Sequence, residues 1–295
     1  MAMSPTYRAL MHTTRLFACA TLVALLAASP AAGQDTETRL KEGQEYKMKY
    51  NEALEAAKAK EYDKAYAAFE STLPLAQAAG DTEVVTKSSK VLAQLDNSRG
   101  IQAFKGEKYE ESLTHHQKGI EHDNSYVPNH YGKAKAMEKM GRMDEALPLL
   151  QGVMAMDDRK SAQAAEATIR GYYIFTASSA LSSNNGNPAR TDAQKALDAL
   201  DEMELYVEAD ADVHYYRAES FKAMGDYPKA IESANTALDL HKGSKSDKAK
   251  IYFVQGESLM YAGSNAEARV AFENAAFGSY KPLAEHYIEE LKSLN

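Results

Sequence analysis

Apolar residues return every three or four positions through most of the chain, as Tyr109, Leu113 and Ile120 do, which is the period of a helix with one buried face. No stretch alternates with period two for long enough to predict a strand. The periodic segments are short and regularly interrupted by Gly80-Asp81, Gly106-Glu107, Gly141-Arg142, Gly225-Asp226 and Gly263-Ser264. A glycine there supplies the left-handed residue that closes one helix, and the polar group after it can cap the next. The pattern predicts an all-α chain of short antiparallel helices.

The segments also repeat one another. Each has a small residue on a first helix, a turn, a small residue early in a second helix and a larger apolar one four positions later. The clearest copy runs from Tyr216 to Leu240 and places Ala218, Gly225-Asp226-Tyr227, Ala230 and Ala234 in those positions. Ala53, Tyr62, Ala65 and Phe69 form the first copy, and Gly100, Tyr109, Ser112 and Gly119 the second, with His116 where the large apolar residue belongs. Ala134, Gly141, Ala146 and Leu150 form the third, and Gly256, Gly263, Ala268, Phe272 and Ala275 the last. A weaker copy begins at Thr191. The second-helix small residues are therefore 65, 112, 146, 196, 230 and 268, with gaps of 47, 34, 50, 34 and 38.

This phrase resembles the tetratricopeptide repeat (TPR), a 34-residue helix–turn–helix unit. The resemblance implies a right-handed α-solenoid of about six hairpins, over roughly 37–79, 84–123, 125–157, 160–207, 210–241 and 246–278, closed by a capping helix at 281–295. The gaps of 47 and 50 require longer helices or inserted loops. Ser161 to Leu181 fits the family poorly, and the break at Ser182 to Pro188 predicts a surface loop. A lone hairpin cannot bury its apolar side, so such a stack is stable only collectively.

The resemblance further implies an interaction scaffold without catalysis or a cofactor, whose concave face binds a peptide segment or partner protein. The fifth position of each first helix would face that groove: Tyr50, Asn97, Tyr131, Tyr215 and Phe253. Lys135, Glu138, Glu219, Lys222, Glu257 and Tyr261 would stand nearby. Aromatic anchors among charges suit such a partner. The lysine–asparagine carboxylate clamp of chaperone-binding members is absent, since its first positions fall on Tyr50 and Leu54. A self-assembling solenoid, in which the ligand is a second copy, is the alternative, and a hydrolytic or metal-dependent enzyme is a remote one.

Residues 1–33 read differently. They hold no acid, two arginines (Arg8 and Arg15), a 13-residue apolar run from Leu16 to Ala28, and small residues through Gly33. This is the pattern of a secretory signal peptide. The run is shorter than the ~20 residues of a membrane span, so no stable span is expected after cleavage. The chain's only cysteine, Cys19, lies in this leader, and its apolar core follows rather than precedes that residue, unlike a lipoprotein signal. The remaining chain has no thiol, and every Asn fails the glycosylation pattern, Asn97-Ser98-Arg99 and Asn124-Ser125-Tyr126 coming nearest. Both features favour a bacterial envelope, most simply the periplasm, over a eukaryotic secretory route.

A formal charge of −8 argues against nucleic acid as a partner, because that affinity comes from Lys and Arg displacing counterions. The chain contains no GxSxG, HExxH, Walker loop or CxxC. His115, His116 and His122 cluster with Glu111, but His115 and His122 are seven residues apart, about 10 Å along a helix, which predicts that they do not share an ion. Glu208 to Asp212 alternates acids as a calcium loop does, yet Val213 occupies the place of the required glycine. These acids are expected to cap the helix that follows.

Overall fold

A computed structural model describes residues 31–293, with side chains from 44 onward, so most of the leader expected at residues 1–33 lies outside the described residues. The described residues are helical throughout, without a strand. The elements are α1 (Ala31–Lys58), α2 (Tyr62–Ala79), α3 (Thr82–Lys105), α4 (Tyr109–His122), α5 (Val127–Lys139), α6 (Met143–Met154) and α7 (Arg159–Leu181). They continue through a single turn, α8 (Ser183–Gly186), then α9 (Arg190–Glu204), α10 (Ala211–Met224), α11 (Tyr227–Leu240), α12 (Lys245–Tyr261), α13 (Asn265–Ala275) and α14 (Lys281–Ser293).

Six hairpins follow: α1–α2, α3–α4, α5–α6, α7–α9, α10–α11 and α12–α13, with α14 laid on α13. Each second helix also touches the first helix of the next hairpin. From α3 onward each first helix touches the next first helix, giving the row α3, α5, α7, α10, α12. Contacts of this kind, confined to neighbours, define a solenoid rather than a single closed core.

The small residues explain how the helices close up. Ala65, Ser112, Ala146, Ala196, Ala230 and Ala268 are all fully buried, as are Ala53, Ala134, Ala177 and Ala218 on the first helices. A methyl group, or a hydroxymethyl at Ser112, lets two backbones approach at each crossing, and the residue four positions on then occupies the interior: Phe69, His116, Leu150, Leu200, Ala234 and Phe272. The long gaps are absorbed by α3, of 24 residues, and by α7, of 23. The segment that fits the repeat least, Ser161 to Leu181, therefore serves as an ordinary first helix, paired with α9. In the break after it, Asn184 and Asn185 take left-handed φ of 50° and 57°.

The turn glycines follow the predicted geometry with one exception, whereas of the polar residues after them Asp81 and Asp226 cap the next helix and Arg142 and Ser264 make no side-chain cap bond. Gly80, Gly141, Gly225 and Gly263 have φ between 72° and 83°, but Gly106 has φ −85° and the left-handed residue there is Glu107, at φ 58°. Asp81 caps α3 by accepting from the Val84 amide at 3.1 Å. Asp210 caps α10 by accepting from Asp212 and Val213 at 3.1 and 3.2 Å, as the sequence leads one to expect of these acids. Among the described residues no helix is long and apolar enough to cross a membrane.

Candidate functional site

Because successive first helices lie side by side, their shared face is where side chains from three hairpins can meet. A cavity of about 610 Å³ opens there between α3, α5 and α7. From α3 it takes Asn97, Ile101, Phe104 and Lys105, and from α5 Pro128, Tyr131 and Lys135, with Tyr126 just before that helix. The first turns of α7 close the third side with Lys160, Ser161 and Ala164, preceded by Asp158. Three of the sequence-predicted groove residues, Asn97, Tyr131 and Lys135, thus converge on one site. The Tyr131 hydroxyl bonds the Thr168 hydroxyl at 3.2 Å, which ties α5 to α7 along the cavity edge.

The cavity floor is His116, from α4. Its imidazole is buried against Gly100 of α3 and Gly132 of α5. A β-carbon on Gly100 would lie 2.6 Å from Nε2, and one on Gly132 would overlap Cε1 and Nε2. Neither helix could pack here with an alanine unless the ring moved. The ring is held in turn. Asn129, also buried, donates from Nδ2 to the Ala93 carbonyl at 2.9 Å. Its Oδ1 therefore faces His116 Nδ1, 3.1 Å away, and accepts from it. That network assigns the proton to Nδ1. Burial lowers the pKa of His116, so the ring is neutral at pH 7. The sequence shows His116 in place of a large apolar residue and shows Gly100, but only the packing reveals that Gly132 is its second wall.

The predicted residues of hairpins five and six form a separate cluster. Lys222 bridges Glu219 at 3.0 Å and Glu257 at 2.7 Å. Burial works against every charge here. It raises the Glu257 pKa, whereas for Lys222 the two carboxylates outweigh it and raise the ammonium pKa. This triad is a structural cross-link between α10 and α12. Tyr215 is half-buried with the Lys250 ammonium 4.7 Å above its ring. Tyr261 is exposed and stacks on Tyr227 at 5.4 Å.

Phe253 corrects the expectation that it lies open on the groove. It is buried in the terminal core, 5.5 Å from Phe272 and 6.0 Å from Tyr287. The last first helix has α14 packed beyond it, so its groove position becomes interior. Tyr50, in the first hairpin, packs edge-on to Phe69 at 6.0 Å, away from the cavity.

His115 and His122 both turn toward one residue. Asp96 of α3 is fully buried, with His115 Nδ1 3.8 Å from Oδ1 and His122 Nε2 3.6 Å from Oδ2. Tyr66 donates to Oδ2 at 3.3 Å. Burial raises the Asp96 pKa and pushes the Tyr66 phenol up to about 12. Side-chain length thus brings together groups that the helix axis separates. Among the described residues no three His, Cys, Asp or Glu are placed to hold one metal ion, and the group reads as a junction of the first two hairpins.

No protein-family model matches the chain, and no curated protein is similar to it in sequence. Among solved structures it is similar to the MamA protein, at 19% identity over 62% of this chain and 90% of that one, with a TM-score of 0.37. It is also similar to a thermophilic TPR protein of Thermus thermophilus, at 20% identity over 68% and 97% of the two chains and a TM-score of 0.30. The P58(IPK) TPR domain matches at 14% identity over 91% and 70%, with a TM-score of 0.36. Scores this low leave the fold to rest on the molecule's own packing. The helix order, the neighbour-only contacts and the buried small residues at each crossing make it a TPR-like stack of helical hairpins.

Proposed function

We propose that the chain is a non-catalytic interaction scaffold whose cavity between α3, α5 and α7 receives a segment of a partner protein. The observation that carries this reading is the cavity itself. It is an open apolar hollow of about 610 Å³ built on three rigid first helices, with Ile101 43% exposed on its wall. A large apolar side chain left in water costs free energy that docking recovers. A rigid face leaves most of the ordering cost to the incoming segment. The acid-free leader with its short apolar run supports export, and the thiol-free, sequon-free remainder supports a bacterial envelope as the place of action.

The test is site-specific photocrosslinking in the native envelope. A benzophenone side chain replaces Ile101 in one variant and Tyr62, exposed at the start of α2, in another. A discrete adduct from position 101 and none from position 62 is expected. Equal labelling at both positions, or none at 101, refutes the assignment.

A further inference from the structure

We infer that the α3–α5–α7 cavity selects an acidic segment carrying a large apolar side chain; this rests on the scaffold reading above. The chain as a whole is acidic, at −8, yet this cavity is ringed by Lys105, Lys135 and Lys160, against one acid, Asp158. Two further surface cavities show the opposite balance. One has Asp212 and Asp247 beside Lys250, and the other has Glu166, Asp210 and Asp212 beside Arg170.

Asp158 is ionised and offsets part of this charge, leaving three lysines against one acid on the lining. It caps α7, accepting from the Lys160 amide at 3.2 Å and from the Ser161 hydroxyl at 2.5 Å, and these bonds hold its pKa below the usual carboxylate range. Lys135 pairs with Glu138 at 3.1 Å, whereas among the described residues the ammonium groups of Lys105 and Lys160 form no close ion pair, Asp158 acting on Lys160 only from a longer distance. They stand on opposite sides of the opening, at the end of α3 and the start of α7. Between them lie Ile101, Phe104 and Tyr131.

The matching occupant is a segment whose apolar side chain enters between those three while carboxylates before and after it meet Lys105 and Lys160. Its charge steers encounter and excludes basic segments, and the apolar side chain supplies most of the affinity. The volume is within the ~300–1,000 Å³ of sites that enclose a drug-sized group, which here corresponds to a few consecutive side chains.

Fluorescence anisotropy on the full chain tests this with four synthetic peptides of about 12 residues. The first has a central Leu-Phe flanked by Glu, the second replaces Glu by Lys, the third replaces Glu by Ser, and the fourth keeps Glu but replaces Leu-Phe by Ala-Ala. The first is expected to bind at least about tenfold more tightly than each of the others, and more weakly as salt rises from about 0.05 to 0.5 M. The double variant Lys105→Glu/Lys160→Glu should lose at least about tenfold, while Lys242→Glu/Lys245→Glu, just before α12 and at its first residue, should not. Thermal unfolding of both variants is compared so that misfolding is recognised.

If the Ser- and Glu-flanked peptides bind alike and Ile101→Asp abolishes both, the scaffold reading stands and the acidic preference is overturned. The Lys-flanked peptide binding best, or no effect of the double variant, also overturns it. If no peptide binds saturably, both readings fall. Self-association that Ile101→Asp abolishes would place a second copy in the cavity and overturn the inference.

Discussion

Gly132→Ala is the most informative single change in the molecule. In a helix interior this substitution ordinarily stabilises by about 0.5–1 kcal/mol, because glycine loses more backbone entropy on folding. At Gly152 of α6 and Gly171 of α7 an added methyl meets nothing within 4 Å, so Gly152→Ala and Gly171→Ala should show that gain. At Gly132 the methyl overlaps the His116 ring, which is backed by Gly100 and tethered through Asn129 to the Ala93 carbonyl. The overlap is relieved only if the ring swings out toward the cavity, breaking its bond to Asn129, or if α5 moves away from α4. Overpacking of this kind costs about 1–3 kcal/mol, and an overlap of this depth belongs at the upper end. Subtracting the propensity gain leaves a net loss of about 2 kcal/mol, which for a chain of this length lowers the melting temperature by roughly 4–8 °C. Urea unfolding monitored by far-ultraviolet circular dichroism gives the comparison, provided the slope with denaturant is unchanged. A double-mutant cycle with His116→Ala isolates the cause. With the ring gone, Gly132→Ala should turn neutral or stabilising, giving a coupling of about 2–3 kcal/mol. The reasoning fails if Gly132→Ala stabilises as much as Gly152→Ala, or if its cost persists without the ring.

Three further outcomes follow from the same packing. His116 has a lowered pKa, so below the unfolded value of about 6.5 the unfolded chain takes up a proton that the folded chain refuses. Stability should therefore fall toward acid by up to about 1.4 kcal/mol per pH unit from this group. His116→Phe, which copies Phe69 and Phe272 at the equivalent positions, should flatten that part of the curve between pH 7 and 5; His214 is shifted the same way and remains in both proteins. Lys222→Met strands the half-buried carboxylates of Glu219 and Glu257 and should cost about 2–3 kcal/mol, discounted from a fully buried pair because water still reaches the cluster; chemical denaturation reads it, and a loss below about 0.5 kcal/mol would show the triad to be idle. Phe253→Ala should cost about 3–5 kcal/mol as a core truncation, whereas Ile101→Ala on the cavity wall should change thermal stability little.

The helices, their turns and the hairpin repeat are legible along the chain before any packing is known. Those features rest on local causes: a 3.6-residue apolar period, glycine or a capping acid at each break, and small residues at fixed intervals. Ala65, Ser112, Ala146, Ala196, Ala230 and Ala268 stand out as crossing points because a close helix crossing tolerates little else. The site was legible only in part. Asn97, Tyr131 and Lys135 share a face by repeat phase, and they do meet at one cavity. Phe253 has the same phase but is buried, because α14, the capping helix expected at this end, reaches over it, and repeat phase alone does not say which groove position a cap closes. The meeting of Asp96 with His115 and His122, the wedging of His116 between Gly100 and Gly132, and the lysines gathered around the opening come from tertiary packing. Each depends on the separation and rotation of helices from different hairpins, and on how far a side chain reaches across that gap. Those quantities arise only when neighbouring hairpins pack together.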